Sequence, residues 1–233
     1  VASIFVNPTQ FGAGEDLDSY PRDRQRDVAL LAEAGCHLVF APAVEEMYPP
    51  GFATSVSVSG ITDVLCGAAR PGHFDGVAQV VSKLLNQAQA DVAVFGEKDW
   101  QQLAVIRRMA SDLDIPTSIL GAPIVREPDG LAMSSRNRYL SDDERRAAPV
   151  LYQSLRTAAE ALQNGAAIGA TLSKAGMTVE TAGFGPVDYI DLREGATLTP
   201  ISDLAEATAP RLFAAAHLGK ARLIDNIAVL DGS

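Results

Sequence analysis

The 233-residue chain is 47% hydrophobic and carries a formal charge of −10. That much apolar side chain excludes an intrinsically disordered polypeptide, and the length suits one large domain or two modest ones. The acidity excludes a general nucleic-acid binder and a chain drawn to anionic membranes, so an anionic ligand has to meet a local cluster of cations.

Residues 1–6 read as a short buried strand that stops at Asn7-Pro8, because proline cannot continue a central strand. Residues 22–34 carry apolar side chains at helical spacing, with Gly35 as the stop. A second strand over 37–41 ends at Pro42. Residues 75–88 predict a helix through Val77, Val80, Val81, Leu84 and Leu85. Residues 91–95 are a continuous apolar strand closed by Gly96, 100–113 return to helical period, and 116–120 form another strand. This alternation argues for βαβ units and a parallel sheet covered on both faces. Ligands of such sheets sit at the carboxyl ends of the strands, which points to residues 7–10 and 96–99.

The second half reads differently. Pro128-Asp129-Gly130 is a turn, and Ser141 with Glu144 forms a capping box that opens a helix running to about residue 164. A helix over 168–179 and strands over 187–192, 211–216 and 222–230 follow. The predicted organisation is an α/β domain over 1–122 and a smaller α+β domain over 123–233. The sequence has no apolar run of 18 residues and no visible signal peptide. Cys36 and Cys66 exclude a disulfide framework and favour a reducing compartment.

Three segments carry candidate chemistry. In Phe95-Gly96-Glu97-Lys98-Asp99 a strand ends, glycine permits close backbone approach, and a lysine precedes a helix whose N-terminus suits phosphate. Taken locally, Asp99 serves equally as the helix N-cap, with Gln102 as its capping-box partner. In Met133-Ser134-Ser135-Arg136, two hydroxyls beside a guanidinium make a compact anion-binding group, or else a polar loop. Asn7 and Gln10 put two amides at a strand end, suited to hydroxyl and carboxylate groups; Asn7 has the stronger claim to a purely structural turn role. His73 reads as structural, and His37 and His217 as core or rim residues. Three scattered histidines and two cysteines build no metal site. The sequence holds neither a G-x-x-x-x-G-K-[ST] loop nor a G-x-S-x-G elbow.

In order, the chain carries SIFVNPTQF at 3–11, YPRD at 20–23, RPGHFDGV at 70–77, FGEKDWQQL at 95–103, DGLAMSSRNRYL at 129–140 and ARLIDN at 221–226. Over nearly its whole length it resembles the pantoate–β-alanine ligases, or pantothenate synthetases. The resemblance implies a Rossmann-like nucleotidyltransferase domain with a parallel sheet, plus a smaller C-terminal α+β domain. It implies a cytoplasmic homodimer that uses ATP and Mg²⁺ to convert pantoate to a pantoyl adenylate with release of pyrophosphate. The amine of β-alanine then displaces AMP. By motif match, Asn7, Gln10 and Gln102 would hold pantoate and β-alanine. Gly96, Glu97, Lys98, Asp99, Val125, Met133, Ser134, Ser135 and Arg136 would bind ATP, with Lys98, Arg136 and Ser134 acting on the reacting phosphates. The metal ligands stay unassigned.

The family's H-x-G-H motif is absent from this sequence. Because the match starts at the family's second strand, the expectation is a longer natural polypeptide, and a sheet without its inner strand is expected to expose an apolar edge. Two further readings are a catalytically impaired chain that binds nucleotide or pantoate without turnover, and a nucleotidyltransferase for another acid. Paired amides with apolar walls such as Val77 and Val80 favour pantoate over other acids.

Overall fold

The computed structural model describes residues 1–229. Strand β1 (Ala2–Ser3) runs parallel to β2 (Val39–Phe40), with helix α1 (Arg24–Glu33) in the connection. Two short helices follow, α2 (Val44–Met47) and α3 (Cys66–Ala69). Helix α4 (His73–Ala88) then leads into β3 (Val92–Gly96). Helix α5 (Trp100–Asp112) crosses over to β4 (Ser118–Ala122), which pairs with β3 in parallel from Val92–Ser118 to Gly96–Ala122. The βαβ logic of the sequence holds, and chain segments at the carboxyl ends of β1 and β3 turn into short 3₁₀ helices, at Pro8–Gln10 and Glu97–Asp99.

Three expectations are corrected. Among the described residues the parallel strands form two separate pairs rather than one sheet. The first strand is neither six residues long nor buried, since only Ala2 and Ser3 pair and Val1 is largely exposed. The sheet is also bare on one side. Side chains alternate across a strand, so Ala93, Phe95 and Ile119 pack against the core under α4 and α5, whereas Val92, Val94 and Leu120 face solvent. Helix α1 buries none of its residues, and Val28 and Leu30 stand exposed on it.

The second half contains α6 (Asp142–Ala147), α7 (Val150–Gln163) and α8 (Ile168–Thr181). The capping box at Ser141 and Glu144 forms as read. The single helix expected from there to about residue 164 is two, separated at Pro149, which has no N–H to donate to the preceding turn. Strands β5 (Val187–Glu194), β6 (Pro210–Leu218) and β7 (Ala221–Ala228) make an antiparallel sheet in the order β5-β6-β7. Residue 230, the last of the expected final strand, lies outside the described residues.

Two cores result. One packs α4 on α5 through Val77, Val81, Val105, Ile106 and Met109; the other packs α7 and α8 on the antiparallel sheet through Leu151, Leu155, Val179, Leu192 and Leu212. Each such buried aliphatic side chain contributes about 1.5–3 kcal/mol. Val77 and Val80 thus belong to the core rather than to a substrate wall. A small cluster of Leu65, Leu198 and Phe213, flanked by Trp100 and Tyr189, joins the halves. Both cysteines are free, and among the described residues no helix is long and apolar enough to cross a membrane.

Candidate active site

A cavity of about 1130 Å³ lies where the two halves meet, walled by α3, the start of α4, the Lys98 turn, the Arg136 loop and the antiparallel sheet. Each wall is held by identifiable contacts.

The turn after β1 is built by Asn7, which is 2% exposed. Its Oδ1 accepts from the Thr9 N–H (3.3 Å), the Thr9 hydroxyl (2.9 Å) and the Tyr48 hydroxyl (2.8 Å). Its Nδ2 donates to the Gly76 carbonyl (3.0 Å) and to Gln10 Oε1 (3.2 Å). Helix α4 crosses this turn so closely that a Cβ on Gly76 would lie 2.4 Å from the Thr9 carbonyl oxygen. The Gln10 carbonyl in turn accepts from His73 Nδ1 (2.8 Å) and from Arg70 (3.3 Å). His73 Nε2 faces Arg70 Nη1 at 3.0 Å. Burial, then the Arg70 charge, pushes this imidazole down to about 4, so at neutral pH it is uncharged, with Nδ1 protonated and Nε2 accepting.

The Lys98 turn is held from the opposite half. Asn226 on β7 donates to the carbonyls of both Glu97 and Lys98 at 3.0 Å. Asn226 Oδ1 accepts from Arg211, whose guanidinium stacks 3.4 Å from the Trp100 ring. Asp225 takes Arg126 in a two-bond pair at 2.6 and 2.8 Å. Arg126 belongs to a tight hairpin in which Glu127 bonds Leu131 and Met133 bonds Val125, and this hairpin delivers Ser134 and Arg136 to the cavity. The Ser134 hydroxyl oxygen accepts from the Arg136 N–H at 3.2 Å.

This geometry brings a lysine from a β–α turn and a serine–arginine loop from the other half to one polar cavity beside a partly buried amide. That arrangement suits a polyphosphate next to a smaller polar acid. A sequence profile described as Pantoate-beta-alanine ligase matches residues 1–228. The chain belongs to the pantoate–β-alanine ligase family. It is 58% identical over 229 residues to the pantothenate synthetase of Paramagnetospirillum magneticum and 55% identical to that of Rhodospirillum rubrum, covering 98% of this chain and 80% and 81% of those proteins. The crystal structure of pantothenate synthetase from Thermus thermophilus superposes with a TM-score of 0.93 at 49% identity, over 98% of this chain and 83% of that one. The Francisella tularensis pantoate–β-alanine ligase, solved with β,γ-ATP and β-alanine, superposes with a TM-score of 0.81 at 32% identity, over 99% and 79%. The α/β fold is therefore that of the pantoate–β-alanine ligases, and the activity is that of a ligase joining pantoate to β-alanine with ATP.

Of the residues singled out in the sequence, this ligase chain places Lys98, Asp99, Gln102, Ser134 and Arg136 on the cavity wall. Gly96, Glu97, Ser135, Val125 and Met133 flank it without lining it; Val125 and Met133 are neighbours on the hairpin, both exposed. Asn7 and Gln10 stand behind the Arg70–His73 wall. Asp99 occupies the N-cap position of α5 without a capping bond, so the local capping-box reading of Gln102 fails, and among the described residues the Gln102 amide has no side-chain hydrogen bond. Gln101 beside it is spent on the Ile61 and Val64 carbonyls and the Cys66 N–H. His37 is exposed, and His217 sits at the rim, 3.7 Å from Asp188.

Sequence reasoning missed Glu15, Asp16, Arg70, Asp225 and Asn226. For the last two the signal was present, as ARLIDN puts a carboxylate and an amide side by side on a strand. Among the described residues no three His, Cys, Asp or Glu side chains converge on a metal position. The nearby carboxylates of Glu15, Asp16 and Asp225 are each occupied by an arginine.

Proposed function

We propose that ATP lies with its phosphates between Lys98 and Arg136 and that pantoate lies toward Gln10 and Gln102. The observation carrying this reading is the convergence of Lys98, Ser134 and Arg136 on one cavity with the unengaged Gln102 amide. A pantoate carboxylate oxygen attacks the α-phosphorus, the bond to pyrophosphate breaks, and charge builds on the leaving oxygens. Lys98 Nζ, the Arg136 guanidinium and the Ser134 hydroxyl are donors suited to that charge, held ready by Asn226 and the hairpin. The free β-alanine amine then attacks the acyl carbon and AMP leaves, a step that needs mainly positioning. Asn7 orients Gln10 rather than touching substrate. Val125 and Met133 are apolar neighbours suited to the adenine face, and Gly96, Glu97, Asp99 and Ser135 shape the nucleotide pocket. Mg²⁺ bound to ATP would supply charge neutralisation at its phosphates.

The division into a 1–122 domain and a 123–233 lid is supported by the segregation of the two cores. The reading extends to a cytoplasmic homodimer, for which sedimentation gives the test. The reaction itself is tested by incubating the chain with ATP, Mg²⁺, pantoate and β-alanine. AMP and pyrophosphate are expected in equal amounts, dependent on pantoate. ATP binding without turnover would support the impaired-binder reading, and preferential use of an unrelated acid would support a different nucleotidyltransferase.

A further inference from the structure

The loop after the first 3₁₀ turn carries adjacent carboxylates, Glu15 and Asp16, and each takes a different arginine. Glu15 receives Arg70 through Nε at 2.7 Å and Nη2 at 2.5 Å. Asp16 receives Arg136 through Nε at 3.0 Å and Nη2 at 2.8 Å. Arg136 also lies over the Tyr20 ring at 5.5 Å, while Ser135 Oγ donates to the Tyr20 hydroxyl at 3.1 Å. Tyr139 donates to the Ser19 carbonyl at 3.1 Å and lies 3.4 Å from Asp16. Residues 10–20 thus form a strap from Gln10, at the proposed pantoate end, to Arg136, at the proposed phosphate end.

A guanidinium has five N–H donors in a fixed plane. Asp16 uses one on Nε and one on Nη2, and among the described residues Nη1 has no hydrogen-bond partner. The pair is half-buried, with side-chain exposures of 29% for Arg136 and 23% for Asp16, and both residues line the cavity. Burial opposes ionisation of Asp16, but the Arg136 hydrogen bond and charge outweigh it and leave the carboxyl below its ordinary value.

We propose that Asp16 is a positioning residue for ATP: it grips one edge of the Arg136 guanidinium so that the Nη1 edge is presented to the phosphates. The proposal rests on reading Arg136 as a phosphate ligand. A flexible arginine loses rotamer freedom on binding an anion, and a carboxylate that fixes it beforehand lowers that cost. Asp16 acts only through Arg136 and has no part in holding pantoate.

Calorimetric titration of the full chain with ATP, and separately with pantoate, tests this on Asp16→Ala, Asp16→Asn, Arg136→Ala and the Asp16→Ala/Arg136→Ala pair. Arg136→Ala is expected to weaken ATP binding at least tenfold, and Asp16→Ala by about tenfold, with pantoate affinity within about twofold of the parent. The double variant should bind ATP no more weakly than Arg136→Ala alone, the non-additivity of two residues acting as one. Asp16→Asn keeps the size of the side chain and guards against a folding failure; it should fall between parent and Asp16→Ala. ATP binding unchanged in Asp16→Ala while Arg136→Ala weakens it overturns the positioning role alone. Tighter ATP binding in Asp16→Asn overturns it too, because it marks a carboxylate competing with phosphate. ATP binding unchanged in Arg136→Ala overturns the phosphate reading and this proposal with it.

Discussion

Burial and the Arg70 guanidinium push the His73 imidazole down to about 4. Between that value and the ordinary histidine value near 6.5, the unfolded chain takes up a proton that the fold refuses. The stabilisation is therefore complete above about pH 6.5 and declines as pH falls toward 4, by up to about 3 kcal/mol. Urea unfolding of the parent and of His73→Gln at pH 7 and pH 5 checks this; equal pH dependence in both would count against it. Glu15 and Asp16, whose carboxyls lie below their ordinary values, lose their contributions only at lower pH. Lys98 is a contrasting residue: half-exposed, with no ion pair among the described residues. Lys98→Ala is expected to slow adenylation by about a hundredfold or more while moving the thermal midpoint by no more than about 2 °C. Parallel losses of midpoint and rate would assign Lys98 to the fold.

At the scale of elements, the approach of α4 to the Pro8–Gln10 turn sets where Gln10 and His73 stand. Gly76 makes that approach possible, since any Cβ there meets the backbone of Thr9 and Gln10. Gly76→Ala should destabilise the chain by about 1–3 kcal/mol and weaken pantoate binding with it. Unchanged chemical denaturation would show that the helix and turn can part without cost. The helices and strands themselves were legible because their periodicities are local: α4, α5, α8 and the three antiparallel strands fall close to their expected bounds. The single helix expected after Ser141 is two because Pro149, which has no N–H to donate, interrupts it although apolar residues continue on either side.

On the scale of the whole molecule, Val92, Val94 and Leu120 expose apolar side chains on the bare face of the β3–β4 pair. Contiguous exposed apolar surface on a sheet promotes association. Light scattering on concentrating or warming the chain is expected to fall in Val94→Lys, which adds a charge without touching either core; unchanged scattering would place the sticky surface elsewhere. The chain spans 80–83% of the length of several relatives it closely matches, and nearly all of its own length superposes on the Thermus thermophilus enzyme.

Order and spacing of six short segments were enough to point to the family, and hydrophobic period to the alternating and then antiparallel architecture. Both are properties of neighbours along the chain. The site was legible only in part, for the opposite reason. Arg136 was visible as a cation beside hydroxyls, but its carboxylate partner lies 120 residues away in sequence. Lys98 was visible at a strand end, but the Asn226 amide that fixes its turn comes from the far half. Asn7 had the stronger claim to a turn role in the sequence, but only packing under α4 shows it buried in hydrogen bonds, with Gln10 left behind the Arg70–His73 wall. Pairings of this kind follow from how two cores meet, and no local pattern encodes them.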